Sequence, residues 1–145
     1  MKSGHDVIAG DYVYVADSMK SGMGVFARRS ISKNTTVHIC PILLVASNKL
    51  HHLDDTTLSG YVFSWDDAEE WCAFALGAGS LFNHSKYPNC HYQMYQKYDR
   101  DEATGFVYPF NAISFTTYQD VRENDELTVD YTGGGSIELW FDPID

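Results

Sequence analysis

The stretch Ser80-Leu-Phe-Asn-His-Ser-Lys-Tyr-Pro-Asn-Cys-His-Tyr-Gln-Met-Tyr95 decides how the rest of the sequence is interpreted. It places Asn83-His-Ser85 just before Pro88-Asn89, a density of polar and turn-forming residues that core packing does not require. Asparagine and serine side chains can bond nearby backbone, proline fixes a turn, and asparagine tolerates unusual dihedral angles. The stretch therefore predicts a shaped polar loop, and the usual purpose of such a loop is to hold a ligand.

Two other chemistries are less well supported by the same residues. His84, Cys90 and His91 are potential metal ligands, but zinc sites usually recruit four well-spaced ligands, and no CxxC or HxxxH pair completes the set. Cys90 and His91 are adjacent, and neighbours in an extended segment point to opposite faces, which makes them a poor nucleophile and base. We therefore expect neither a protein-bound metal nor a cysteine hydrolase.

The totals favour a single folded domain over residues 1–145, because this length suffices for one hydrophobic core and not for two. With 20 acidic and 10 basic residues, the net charge of −10 disfavours nucleic acid and anionic membranes and favours a basic partner. The same acidity also serves solubility. Three cysteines without CxxC spacing, and an N-terminus unlike a signal peptide, predict an intracellular protein, nuclear or cytoplasmic.

Short runs rich in β-branched and aromatic residues, punctuated by Gly, Asn, Asp and Pro, predict a mainly β domain (α+β). The predicted strands are Tyr12 to Ala16, Gly24 to Ala27, Val37 to Val45, Tyr61 to Trp65, His91 to Tyr95, Ala112 to Thr117 and Leu127 to Tyr131. Two short helical segments are predicted, around Asn48 to Asp54 and Asp66 to Ala75. They form a short helical insertion between small sheets.

Two further segments resemble ligand-contacting backbone. In Ser21-Gly-Met-Gly-Val-Phe-Ala27, two glycines straddle one residue just before a strand, which lets backbone approach a ligand closely. A dinucleotide-binding motif is excluded because the third glycine and the following long helix are missing. Near the C-terminus, Asn124-Asp-Glu-Leu-Thr-Val-Asp-Tyr131 is a turn followed by a strand that ends in a tyrosine. On its own, Tyr131 is equally consistent with a core aromatic.

Together, in this order, the segments resemble the SET-domain family of protein lysine methyltransferases. The resemblance implies a fold of small curved β-sheets whose C-terminal segment passes beneath a preceding loop, forming a pseudoknot, a rare exception to unthreaded topology. The matching pieces are Gly22-Met-Gly24-Val-Phe-Ala27, Asn83-His-Ser85 followed by Pro88-Asn89-Cys90, and Glu126-Leu127 with Asp130-Tyr131.

The resemblance also implies a cofactor, S-adenosylmethionine, and a reaction, methyl transfer to the ε-amine of a lysine in a protein. Tyr131 matches the family's active-site tyrosine near the transferring methyl, and Tyr92 matches a second channel tyrosine found in some members. Tyr92, Trp140 and Phe141 are the candidates for the walls of the substrate channel. The cofactor-binding residues implied by motif position are Gly22, Met23 and Gly24 at the methionine end, Asn83 and His84 at the nucleoside side, and Tyr131.

The physical chemistry of methyl transfer agrees with these implied roles. A lysine amine has an unperturbed pKa of about 10.4, and only its neutral form can attack a methyl group. A narrow channel removes water, and the sulfonium adds a like charge, so both lower the pKa of the amine. Tyr131 is then a positioning group, because its phenol ionises only near pH 10 or so.

The sequence also departs from the family pattern. Residues 133–145 contain no cysteine, so we do not expect them to form the zinc-binding segment that follows the tyrosine in many members. The tail Ile137-Glu-Leu-Trp-Phe141 or a partner subunit is left to close the channel. Where some members have a further tyrosine this sequence has Cys40-Pro41, and Val129 is smaller than the aromatic residue some members use. The number of methyl groups added therefore stays open.

The partner predicted from charge and family is a lysine-containing basic protein or peptide, with a histone tail as one candidate. The oligomeric state, monomer or homodimer, stays open. A rival hypothesis is a catalytically inactive SET-like module that binds a basic peptide. It requires damage at Tyr131 or in the Asn83 loop, and the sequence has neither. A structural protein without a cofactor leaves the Asn83 loop without a purpose.

We expect the isolated protein to bind S-adenosylmethionine and its demethylated product without added metal, because the glycine and Asn83-His84 signals coexist with the missing cysteine cluster. Calorimetry on chelator-treated protein measures this directly. Absence of heat from binding at millimolar cofactor would contradict the prediction.

Overall fold

The computed structural model describes residues 6–20 and 22–131. In these residues, short strands and three 3₁₀ helices form, and no helix is long and apolar enough to cross a membrane. The 3₁₀ helices are Ser47–Leu53, Thr57–Gly60 and Gly79–Leu81. The strands are β1 (Val7–Ile8), β2 (Val13–Asp17), β3 (Met23–Ala27), β4 (Thr36–Ala46), β5 (Val62–Ser64), β6 (Trp71–Ala75), β7 (Asn83–His84), β8 (Cys90–Tyr95), β9 (Ala112–Thr117) and β10 (Glu126–Val129).

The first sheet has the strand order β1-β2-β3-β10-β7. β10 pairs antiparallel with β3, with Leu127 opposite Val25, and parallel with β7, with Val129 opposite His84. The last strand of the described chain is therefore an internal strand of its sheet. This places β10 between β3 and β7, whereas the pseudoknot formed by the C-terminal segment stays a prediction.

The second sheet has the order β5-β6-β4-β9-β8. β6 pairs antiparallel with β4 and with β5, so its backbone is hydrogen-bonded along both edges. Along β4 the side chains alternate, with Cys40 and Ile42 buried and Ile39 and Leu43 exposed. That alternation is the period of a strand with one covered face.

The chain groups into two compact units. The first is drawn from Met1–His38, Leu81–Tyr92 and Phe115–Asp145, and the second from Ile39–Ser80 and Gln93–Ser114. All five strands of the first sheet belong to the first unit, whereas β4, β8 and β9 contribute residues to both units. The single domain over residues 1–145 stays a prediction.

Each unit has its own aromatic core. In the first, Phe82 stacks on Phe115 with ring centroids 4.0 Å apart, and both side chains are fully buried. In the second, Tyr95 stacks on Tyr108, also at 4.0 Å. Buried aromatic pairs of this kind contribute about 0.5–1.5 kcal/mol beyond the area they bury.

The predicted strands and the mainly β class are confirmed, but the predicted helix from Asp66 to Ala75 is wrong. Residues 66–70 instead form a turn in which the Asp66 carboxylate accepts the N–H groups of Glu70 and Trp71, and Glu69 adopts a positive φ of 56°. β6 follows, and its backbone bonds to strands on both sides outweigh the weak helical spacing of its side chains. The other predicted helix is confirmed as the 3₁₀ helix Ser47–Leu53.

A buried threonine offers a test of the first unit. The Thr117 hydroxyl donates to the Ser32 carbonyl at 2.8 Å and accepts the Thr35 N–H at 3.0 Å. Thr117→Val keeps the shape but leaves a backbone N–H without its acceptor, so we expect a loss of about 1–3 kcal/mol in the free energy of unfolding. Urea denaturation measures this loss.

The neighbouring Thr116 is the matched control. Its hydroxyl bonds the hydroxyl of the exposed Thr36, at 3.1 Å, and no backbone N–H depends on it among residues 6–20 and 22–131. Thr116→Val should stay within about 0.5 kcal/mol of the wild type, as surface substitutions usually do. Equal effects of the two substitutions would contradict the hydrogen-bonding role of Thr117.

Candidate functional site

Gly22 and Gly24 differ in what they require of the backbone. Gly22 has a positive φ of 47°, and a Cβ built on it would meet no atom within 4 Å, so the chain here borders open space. The Ser18 N–H donates to the Gly22 carbonyl at 2.8 Å. At Gly24 a Cβ would lie 2.5 Å from Glu126 Oε2. The space beside Gly24 is therefore filled by a carboxylate of the protein itself.

Asn83 joins the glycine segment to the loop that opened the sequence analysis. Its Nδ2 donates to the Met23 carbonyl at 3.1 Å and to Glu126 Oε2 at 2.8 Å. Glu126 Oε1 in turn accepts the Ser18 hydroxyl at 2.8 Å. The sequence indicated that Asn83 would bond its own local backbone; instead it bonds residues far away in the chain.

His84 and Tyr131 contact each other through a hydrogen bond and through their rings. The Tyr131 N–H donates to His84 Nδ1 at 3.1 Å, and the ring centroids are 5.6 Å apart. Because Nδ1 accepts a hydrogen bond, it carries a lone pair, and the proton of the neutral ring lies on Nε2. Asp130 Oδ1, 3.8 Å from the same Nδ1, is therefore not in an ion pair with it. The Tyr131 hydroxyl donates to the carbonyl of Phe82.

Asn89 holds the inserted strand β10 by its backbone. Its Nδ2 donates to the Glu126 carbonyl and its Oδ1 accepts the Thr128 N–H, both at 2.9 Å. Tyr118 supports this loop, since its N–H donates to the Asn89 carbonyl and its hydroxyl to the Pro88 carbonyl. Asn89 is not among the residues with positive φ, so its tolerance of unusual dihedral angles is not used here. The side-chain amide of Asn89 bonds two backbone groups of β10, and the sequence alone gives no indication of these partners.

Tyr92 is half-buried, with its ring centroid 6.3 Å from that of Phe115. Burial, and secondly the negative charge of Asp130, raise the pKa of Tyr92 above its ordinary value. The phenol therefore keeps its proton at neutral pH and acts through hydrogen bonding or packing. The other two predicted channel residues, Trp140 and Phe141, lie outside the described residues.

The structure offers no activated thiol at Cys90. Burial raises the pKa of the Cys90 thiol to about 12. His91, its neighbour, is exposed and lies over Tyr118, with ring centroids 6.1 Å apart. Across residues 6–20 and 22–131, no three His, Cys, Asp or Glu side chains are grouped to hold a metal ion.

Of the predicted cofactor-binding residues, the structure brings together Gly22 to Gly24, Asn83, His84 and Tyr131 in the first unit. In the sequence, Glu126 and Asn89 stand out only as parts of motifs, and Ser18 belongs to none. The spacing between Glu126-Leu127 and Asp130-Tyr131 could have marked Glu126 as a candidate site residue. No comparable signal marked Ser18.

A family profile described as the SET domain matches residues 22–132, most of the chain. The chain belongs to the SET-domain family. A Schizosaccharomyces pombe histone-lysine N-methyltransferase, H3 lysine-37 specific, is 31% identical over 129 residues, which cover 88% of this chain and 76% of the relative.

A solved structure is also similar to this chain. It is the crystal structure of a Plasmodium falciparum protein proposed to be a histone methyltransferase, with a TM-score of 0.62, 26% identity, and coverage of 86% of this chain and 99% of the other. With the family match and the fungal relative, it supports protein-lysine methyltransferase as the activity of this SET-domain chain.

The thiols of the chain provide a pH test of the site. Burial raises the pKa values of Cys40 and Cys90 to about 12, so at pH 8 only about one thiol in 10,000 is ionised at each. We expect the half-buried Cys72 to react first with an alkylating reagent. The buried pair should become reactive only as pH rises toward 12 or on unfolding, and mass spectrometry of alkylated peptides reports the order. Fast labelling of Cys90 at pH 8 would contradict the burial and raised pKa of its thiol.

Proposed function

We propose that this chain transfers a methyl group from S-adenosylmethionine to the ε-amine of a lysine in a histone. The observation that carries the proposal is the joining of three distant segments. Asn83 bonds the Met23 carbonyl, and His84, the next residue, accepts the Tyr131 N–H. Residues implied for the two ends of the cofactor and for the methyl-transfer step thus lie in one hydrogen-bonded network.

The residues of this network fit S-adenosylmethionine. Open space borders the backbone at Gly22, where a zwitterionic end can approach peptide groups without a side chain in the way. Buried His84 carries its ring proton on Nε2, which makes that atom a donor, and Asn83 supplies a fixed carboxamide. When bound, the cofactor supplies an electrophilic methyl group on a sulfonium.

The Tyr131 hydroxyl has a defined direction. Its proton is committed to the Phe82 carbonyl, so the lone pairs of its oxygen are directed elsewhere, as acceptors. An acceptor of this kind orients an amine N–H and makes weak contacts with a polarised methyl group. We assign Tyr131 the task of holding the amine in line with the methyl group, which needs no ionised phenol.

Tyr92 and Asp130 complete the proposed approach of the lysine. Tyr92 keeps its proton because burial and the Asp130 charge raise its pKa. The Asp130 carboxylate favours a cation nearby, and an aromatic ring accepts a lysine stem. We propose that the amine loses its proton as it leaves water, since desolvation lowers its pKa.

A histone substrate is supported by charge and by the fungal relative. The net charge of −10 is complementary to a lysine-rich tail, and the name of the relative specifies lysine 37 of histone H3. Recombinant histones, as octamers and as separate proteins, are therefore the substrates for a first assay. An intracellular location, nuclear or cytoplasmic, is part of this proposal.

Tyr131→Phe tests the proposal because it keeps the ring and removes the hydroxyl. We expect cofactor affinity to change little and single-turnover methyl transfer to fall roughly 30- to 1000-fold, the effect of losing one positioned hydrogen bond of about 2–4 kcal/mol in a dry site. Tyr92→Phe should act more gently and shift the number of methyl groups that accumulate. Mass spectrometry of the histone products measures both effects.

The matched control is Tyr87→Phe, because Tyr87 is 79% exposed and its ring lies beside the Lys86 ammonium, 5.6 Å from the ring centroid. It should transfer methyl groups at the wild-type rate. A Tyr131→Phe protein that is folded and as fast as the control would contradict the assignment of Tyr131. A wild-type protein that binds the cofactor but methylates no histone would favour the inactive module.

A further inference from the structure

Glu126 is not among the residues assigned to methyl transfer above, and both of its carboxylate oxygens accept hydrogen bonds from segments near the proposed cofactor site. Oε1 accepts the Ser18 hydroxyl and Oε2 accepts Asn83 Nδ2, both at 2.8 Å. Its backbone carbonyl accepts Asn89 Nδ2 at 2.9 Å. One residue of β10 therefore connects the segment between β2 and β3, the strand β7 and the loop that follows it.

These contacts leave the Asn83 carboxamide only one orientation. The two partners of Nδ2, the Met23 carbonyl and Glu126 Oε2, are acceptors without hydrogens. Turning the carboxamide over would set Oδ1 against two oxygens, one of them charged, at hydrogen-bond distance. Oδ1 is therefore held on the opposite side from the carboxylate.

The absence of a side chain at Gly24 leaves the space that the Glu126 carboxylate occupies. A Cβ at Gly24 would come within 2.5 Å of Glu126 Oε2 and 3.0 Å of Glu126 Cδ. Real Cβ atoms do not make contacts of 2.5 Å, so any larger residue at position 24 forces the carboxylate away from Asn83. The glycine that resembles a ligand-contacting position thus also makes room for Glu126.

We propose that Glu126 is a positioning residue that fixes the Asn83 carboxamide so that its Oδ1 is presented to the methyl donor as an acceptor. The identity of that ligand, S-adenosylmethionine, rests on the proposed function. Hydrogen bonds to a charged acceptor are stronger than neutral ones, so the carboxylate holds the amide more firmly than the Met23 carbonyl alone.

The test compares Glu126→Ala and Glu126→Gln by two readouts. The first is the side-chain NH₂ resonance of Asn83 in the cofactor-free protein, which reports hydrogen bonding at Nδ2. The second is calorimetric affinity for S-adenosylmethionine and its demethylated product, with the transfer rate at saturating cofactor measured alongside.

We expect Glu126→Ala to shift the Asn83 resonance toward that of an exposed amide and to weaken cofactor binding roughly 10- to 150-fold, the range for a hydrogen bond to a charged group. Transfer at saturating cofactor should change far less. In Glu126→Gln the new carbonyl can still accept Asn83 Nδ2 while the rotatable Ser18 hydroxyl accepts from the new amide. This variant should therefore recover part of the affinity.

Glu123→Ala is the matched control, since Glu123 is an exposed carboxylate in the turn before β10. An unchanged Asn83 resonance in folded Glu126→Ala, or a cofactor affinity equal to that of the control, overturns the proposal. Should the alanine variant fail to fold, the isosteric glutamine variant and Ser18→Ala are judged by the same two readouts. If the wild type binds neither cofactor form, the proposed function fails, whereas the Asn83 resonance still decides whether Glu126 positions the amide.

A double substitution gives an independent check. Gly24→Ala should lower cofactor affinity in the wild type by displacing the carboxylate, and should cost less in Glu126→Ala, where the nearest opposing oxygen is gone. Equal costs in the two backgrounds would contradict a shared mechanism.

Discussion

The first unit depends on β10 being hydrogen-bonded on both of its edges. β3 pairs with it on one side, β7 on the other, and Asn89 bonds its backbone at Glu126 and Thr128. The register of a strand determines which face its side chains occupy and which residues they oppose. This pairing therefore places Glu126 beside Gly24 and Tyr131 beside His84. The candidate site is therefore a product of strand register, and a shift of one residue would turn its side chains to the opposite face.

The hydrogen-bonded network around Asn83 and His84 consists mainly of fixed dipoles, with few charged groups. Both carboxylate oxygens of Glu126 accept hydrogen bonds, one from a hydroxyl and one from an amide, and His84 Nδ1 accepts a backbone N–H. A site for a zwitterionic, positively charged sulfonium compound gains from fixed dipoles that need no reorganisation on binding. Asp130, close enough to raise the pKa of Tyr92, adds the negative charge on the side where a lysine is proposed to enter.

The sequence predicted seven of the ten described strands and the family because both rest on local signals: alternation of side chains, turn residues and motif order. It failed from Asp66 to Ala75, where the helical spacing of Ala68, Trp71, Cys72 and Ala75 was outweighed by sheet pairing on both sides of β6. It also missed the roles of Ser18 and Asn89. The partner of Ser18 lies 108 positions away along the chain, and the partners of Asn89 lie 37 and 39 positions away. Contacts of that range follow from tertiary structure, and no pattern within a short window of sequence encodes them.

The internal position of β10 has a consequence for how the molecule folds. Contacts such as Ser18 with Glu126 and Tyr14 with Asn124 close loops of 108 and 110 residues. Such closures are entropically costly and slow, so β3 and β7 must remain without their shared neighbour until the distant segment arrives. During synthesis on a ribosome, the strand edges of the first sheet stay open until residue 129 has emerged, a period in which they are exposed to pairing with other chains.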